Sequence, residues 1–246
     1  NRPWCLTDKR SSPTPAAEPP VVTRKKINGE SAWIIPLMED AAGADLEGLG
    51  ARYQRAKSIF NMILAGEKPE VADTVVQDWW LSGPFPNKDK KGFSTPYPPE
   101  KEVDLDATYT GAQGKEFGWK RTQPPGKPPL GKGSINLKGQ FKPNGNVCAY
   151  AYTEITSDEE RDATLYVGSD DTITVWINGE KVLSREVYRG ANLDQDQVPV
   201  HLKKGTNQVL VKVCQTFGGW EFYFRLGDAY GVPLTEGVEC GAPPRE

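Results

Sequence analysis

The residues best suited to chemistry are the adjacent carboxylates Asp170-Asp171, which precede a strand-like run. In a turn, carboxylate and carbonyl oxygens can converge on a hard cation such as calcium, which takes roughly 6–8 oxygen ligands. Asp194 and Asp196 are the further donors that stand out, so a structural calcium ion is the one cofactor these residues suggest. In the competing reading, Asp171 accepts hydrogen bonds from turn amides and simply fixes the hairpin. Glycoside hydrolysis would need two acids about 5–9.5 Å apart across a cleft. Glu154, Asp158, Glu159 and Glu160 cluster in sequence, but the run 157–161 reads as a solvated turn between strands. His201 is the single histidine, so His-based triads and multi-histidine metal sites are nearly excluded. This inventory predicts no enzyme.

Aromatic side chains offer a second kind of chemistry, because ring faces stack on sugar C–H groups while polar neighbours bond the hydroxyls. Trp119, Tyr97, Tyr109 and Tyr188 lie in or beside loop-like stretches and are the glycan-binding candidates. Trp80, Trp176 and Phe222 alternate with polar residues and are assigned to a core, whereas Trp220, after Gly218-Gly219, fits either role. Cys5, Cys148, Cys214 and Cys240 form no CxxC pair, which argues against zinc-ribbon and thioredoxin-type sites. Pairing of Cys5 with Cys240 would tie the two ends of the chain together, but spacing alone fixes no connectivity. The 30 basic and 33 acidic residues leave a net charge of -3, which argues against nucleic acid as a partner.

The elements that must carry these residues change along the 246-residue chain. Residues 1–43 read as an extended Pro-rich arm, with Pro13, Pro15, Pro19 and Pro20 followed by Arg24-Lys25-Lys26. Such a stretch cannot bury an apolar face by itself, so Trp4, Val21, Val22, Trp33 and Ile34 are its expected anchors, either on a partner or folded back on its own domain. Within residues 44–76, apolar positions at spacings of three and four from Leu46 to Leu64 predict an amphipathic helix closed by Gly66. From residue 77 to 230 the helical period gives way to strand-like runs at 79–85, 116–121, 146–155, 162–169, 172–177, 180–185, 196–202, 208–215 and 220–226. Asn178-Gly179 is the strongest hairpin signal. The expected fold is mainly β: an antiparallel jelly-roll sandwich with an N-terminal extended arm, one or two short helices and a tail at 231–246. The Pro-rich passage between Pro86 and Pro143 is expected to cap the ends of that sandwich. A start at Asn1 without Met fits a processed or truncated product.

Three stretches carry a resemblance: Asp78-Trp79-Trp80-Leu81-Ser82-Gly83-Pro84-Phe85; Gly168-Ser169-Asp170-Asp171 leading to Val175-Trp176-Ile177-Asn178-Gly179; and Lys203-Lys204-Gly205-Thr206-Asn207. Together they resemble the galactose-binding-like β-sandwich modules of exported bacterial proteins, over roughly residues 77–230. The stretches 93–100 and 219–223 are similar to a branch of that family common in planctomycete-type exported proteins. In the resembled fold Cys148 and Cys214 fall on neighbouring strands, which makes a bridge between them geometrically possible. The Ser-Asp-Asp turn is similar to one in PA14-type lectins, where consecutive aspartates hold sugar hydroxyls through calcium. One such sandwich hosts many functions. The expected role is a non-catalytic accessory or assembly subunit, periplasmic or extracellular. It would dock on a larger exported or membrane-attached protein complex with the arm as its clasp. The alternative is a carbohydrate-binding module of a glycan-degrading or adhesion system.

Overall fold

The computed structural model describes residues 75–122, 133–229, 231, 233–234 and 236–244, together with the backbone of 23–27 and 30–34. Trp4, Val21, Val22, Cys5 and the helix expected within 44–76 lie outside the described residues, except that Val75 and Val76 are described. The chain divides into two units, residues 1–53 and 54–246. In the first, β1 (Thr23–Ile27) and β2 (Glu30–Ile34) form an antiparallel pair in which Trp33 stands opposite Arg24 and Ile34 opposite Thr23. Part of the stretch expected to be a plain extended arm is therefore a hairpin.

The second unit is an antiparallel β-sandwich. Its strands are β3 (Trp80–Pro86), β4 (Tyr109–Thr110), β5 (Glu116–Phe117), β6 (Trp119–Arg121), β7 (Ile135–Asn136), β8 (Val147–Ser157) and β9 (Arg161–Asp170). They continue with β10 (Thr172–Ile177), β11 (Glu180–Arg185), β12 (Asp196–Leu202), β13 (Gly205–Gln215), β14 (Glu221–Gly227) and β15 (Val238–Gly241). The larger sheet runs β11-β10-β13-β8-β3-β6, the smaller β12-β9-β14-β7, and β4 pairs only with β5. Strand β15 joins the larger sheet beside residues 154–157 of β8, so the segment read as a tail is part of the fold. The run predicted at 116–121 is two strands broken at Gly118, because β5 pairs with β4 while β6 pairs with β3. Among the described residues no helix is long and apolar enough to cross a membrane.

Local chemistry explains the breaks. Asn178 and Gly179 both take positive φ, 51° and 81°, as the two-residue turn between β10 and β11 requires. Pro84 lacks an amide proton and falls where the β3–β8 register shifts, between Ser82 and Phe85. Pro199 is tolerated because β12 is an edge strand.

Side-chain alternation gives the larger sheet two buried faces. Val147, Ala149, Ala151, Val209, Val211, Val213, Ile173 and Val175 face the smaller sheet's Leu165, Val167, Phe222 and Phe224. Trp79 fills the centre, edge-on to Phe222 and Phe224 at 5.2 Å each, and donates its indole N–H to the Val76 carbonyl at 2.7 Å. The opposite face carries Trp80, Cys148, Tyr150, Tyr152, Trp176, Leu210 and Cys214. Trp80 and Trp176 are thus buried outside the inter-sheet core to which they were assigned; Phe222 and Trp220 are inside it. This outer face is covered by Phe93, Tyr97, Val103, Leu105, Ala107 and Phe117 from the passage after β3, which lies across the sheet as a strap where end-capping was expected.

The strap is fastened by a buried charge. Lys212 is 1% exposed, and its ammonium donates to the carbonyls of Phe93 (3.2 Å) and Thr95 (2.8 Å) and to the Glu100 carboxylate (2.6 Å). The Tyr150 hydroxyl donates to the same Glu100 oxygen at 2.5 Å. Burial and that carboxylate push the Tyr150 phenol far up. A buried cation without these partners would cost several kcal/mol, so the loop is ordered by the need to satisfy Lys212.

Candidate functional site

At one end of the sandwich, loops converge around Asp171. Its amide donates to the Cys214 carbonyl at 3.4 Å, and its carboxylate accepts the Thr216 amide at 3.3 Å and the Arg189 backbone N–H. Asn146 donates its amide to the Thr216 carbonyl (2.9 Å), and Asn87 donates to the carbonyls of Asn146 (2.8 Å) and Gln215 (3.1 Å). Five segments are thereby stitched together: those around residues 87–90, 146, 170–171, 188–189 and 214–219. The amides Asp171 binds belong to two other loops, those of Thr216 and Arg189.

Two aromatic rings emerge from this framework. Tyr188, next to Arg189, is 49% exposed, and Phe217, next to Thr216, is 82% exposed. They are the exposed large hydrophobic side chains among the described residues. The Lys90 ammonium lies over the Tyr188 ring, 3.8 Å from its centre, and so covers one face of that ring and leaves the other. The following Gly218 has φ +100°, which an L side chain rarely adopts and which lets the chain turn immediately after Phe217. Phe217 was not among the sequence candidates, yet the flanking Gly218-Gly219 that made Trp220 ambiguous marks this loop.

The loop that presents Tyr188 is held by the acids once considered for calcium. Asp194 makes a bidentate pair with buried Arg225 at 2.7 and 2.5 Å, and that guanidinium also lies 4.0 Å from the centre of the Tyr166 ring. Asp196 is bound by Arg185 at 3.0 Å and by Arg189. Gln195 accepts the Ser169 amide at 2.9 Å and donates to the Gly190 carbonyl at 2.8 Å. Asp194 and Asp196 therefore serve arginines, and the four aspartates do not converge on one point. Among the described residues no group of three or more His, Cys, Asp or Glu is arranged to hold a metal ion.

Asp170 has a different environment. It stands opposite Glu221 in the β9–β14 register, and Glu221 accepts the Ser134 hydroxyl at 2.7 Å. Burial, with Asp171 and Glu221 adding repulsion, pushes the Asp170 carboxyl up to about 6. Burial also raises Asp171, against the pull of its two backbone donors and Lys90.

The other sequence candidates are placed elsewhere. Trp119 and Tyr109 are 5% and 9% exposed, and the Trp119 indole N–H donates to the Tyr109 hydroxyl at 3.3 Å under the strap. Neither ring has a free face for a sugar. Tyr97 is half-buried, its ring 4.7 Å from that of Phe85 and its hydroxyl donating to the Pro86 carbonyl; burial pushes its phenol up to about 12. Of the four glycan candidates, Tyr188 is the most exposed, with Lys90 over one face of its ring.

The acidic cluster lies at the far end of β9. Glu154 accepts the Tyr152 hydroxyl (2.7 Å), Asp158 and Glu159 pair with Arg161, and exposed His201 bridges Glu160 (2.6 Å) and Asp162 (2.8 Å). Those carboxylates raise the His201 imidazole above its ordinary range. Arg161 and Asp170 bound a ten-residue strand, so at about 3.3 Å per residue the acidic and aromatic ends are roughly 30 Å apart.

No family model matches this chain, and no curated protein does. Solved structures overlap parts of it. The PA14 domain of the MpAFP antifreeze protein aligns with 39% of this chain and 53% of its own, at 14% identity and a TM-score of 0.31. A family 35 carbohydrate-binding module from an environmental isolate aligns with 39% of this chain and 72% of its own, at 19% identity and a TM-score of 0.29. The GH31 α-xylosidase from Xanthomonas citri aligns with 52% of this chain and only 15% of its own, at 16% identity and a TM-score of 0.30. This chain thus spans about half of the first of these and a small fraction of the last.

Proposed function

We propose that residues 75–244 form a non-catalytic carbohydrate-binding module of the galactose-binding-like type, in the planctomycete-type branch, working outside the cytoplasm. The observation that carries this reading is that Tyr188 and Phe217, the exposed large hydrophobic side chains among the described residues, are both aromatic and both hang from loops bonded to Asp171. A single exposed apolar residue needs no explanation, but here two exposed rings hang from loops that share the Asp171 carboxylate, with the Lys90 ammonium over one of them. Ring faces take the C–H side of a sugar, and the charged groups take its hydroxyls. The loop backbones that carry the rings are pinned at Thr216 and Arg189 before any ligand arrives, which limits the ordering cost of binding.

Affinity electrophoresis and a glycan array test this reading. Tyr188→Ala and Phe217→Ala should each weaken binding of the retained glycan about tenfold, roughly 1.4 kcal/mol, with thermal unfolding unchanged. Retention of full binding by the double variant would overturn it.

Docking on a larger protein complex is the second reading, and β1–β2 favours it. A two-stranded hairpin is at best marginally stable in water without a further surface. Deleting residues 1–36 should release the chain from such a complex while leaving the sandwich folded; undiminished association would count against the clasp.

A further inference from the structure

Cys148 and Cys214 stand directly opposite each other on β8 and β13, the two longest strands of the larger sheet. Residues paired across antiparallel strands have Cα atoms about 4.5–5.5 Å apart, within the roughly 4.4–6.8 Å that a disulfide spans. Their sulfur atoms are 3.0 Å apart, both as free thiols, in residues that are 0% and 1% exposed. An S–S bond of about 2.04 Å therefore needs only a small side-chain adjustment with no change of strand register.

The surroundings favour reaction of one sulfur in particular. The Cys148 thiol donates to the Cys214 sulfur, and the Lys212 ammonium is on the same face two residues before Cys214; both effects hold the Cys214 thiol below its usual range. Access is controlled by the strap. A Cβ at position 92 would lie 2.5 Å from the Cys148 sulfur, so glycine there lets the backbone lie on the thiol. The same strap is tied down by Lys212 through Phe93, Thr95 and Glu100.

We propose that Cys148 and Cys214 are a redox-sensitive clasp that a small-molecule disulfide converts to a cross-strand disulfide when the strap lifts. The Cys214 thiolate attacks one sulfur of the oxidant, forming a mixed disulfide and releasing one thiolate. Cys148 then gives its proton to the released thiolate as its sulfur attacks the Cys214 sulfur, forming the Cys148–Cys214 bond and releasing the second thiolate. The two protons lost by the cysteines end on the two released thiols; the cysteines are oxidised by two electrons and the reagent is reduced by two. The product ties β8 covalently to β13 and is independent of the glycan-binding reading.

The test incubates the folded chain with oxidised glutathione, quenches with an alkylating agent and maps tryptic peptides without reduction. The expected product is residues 139–161 linked to residues 213–225, lighter by two hydrogens than the two peptides together and separated by reductant. Cys148→Ser should yield no such species. Recovery of alkylated Cys148 and Cys214 from the treated protein, linkage of either to Cys5 or Cys240, or linkage only after the chain is unfolded would each overturn the proposal.

Discussion

The two faces of the larger sheet are equally dry and built differently. The face toward the smaller sheet is lined by Val, Ala and Ile, with Trp79 at its centre, and meets a second regular surface of alternating side chains. The opposite face meets an irregular strap and carries Tyr150, Tyr152, Trp80, Cys148, Cys214 and the ammonium of Lys212. A strand-paired layer satisfies its own backbone groups, so only apolar packing is required of its side chains. A strap leaves carbonyls to satisfy, such as those of Phe93 and Thr95, and the sheet supplies a donor for them. The lesson is that burial alone does not assign a residue to the core of a sandwich.

Substitutions on the two faces should separate these roles. The largest effect is expected from Phe224→Ala on the inner face, about 4 kcal/mol by denaturant unfolding, from lost transfer energy plus the cavity. Lys212→Met on the outer face should cost about 3 kcal/mol, because Glu100 loses its buried partner. Combining Lys212→Met with Glu100→Gln should cost less than the sum of the two single changes, since no charge is then left unpaired. Strict additivity would show that the pair does not fasten the strap.

A smaller effect is expected at the aromatic end. The Asp170 carboxyl titrates near 6 when folded and near 3.9 when unfolded, so between these values the folded chain keeps a proton that the unfolded chain releases. Its contribution is present below about pH 4 and lost as pH rises through 6. The melting temperature of Asp170→Asn relative to the wild type should therefore rise between about pH 4 and 6 and level off above; a constant difference across this range would place the carboxyl in ordinary solvent. The smallest effect belongs to Phe217→Ala, within about 0.5 kcal/mol in stability, because its exposed ring packs on little. A larger loss would mean that the ring supports the fold and is not held out for a ligand.

Strands bounded by a clear turn or alternation were legible in advance: β10 and β11, split by Asn178-Gly179, and the alternating β12 have the limits expected from the sequence. Strands of two to four residues, β4, β7 and β15, were not, because so short a run carries no period. Alternation also says only that a residue points to one of two faces. Trp80 and Trp176 read as core on that basis, yet their face is the one the strap covers. Trp119 and Tyr109 read as loop aromatics, and the same strap buries them.

By itself the sequence determined a two-layer antiparallel body, its Asn178-Gly179 turn and the poverty of its acid–base chemistry. Tertiary structure decided which aromatic rings stay in water, which acids meet arginines and which thiols lie within bonding reach. Periodicity records which side of a strand a residue occupies, a local property of the backbone. What lies over that side is set by segments tens of residues away, and no pattern along the chain encodes it.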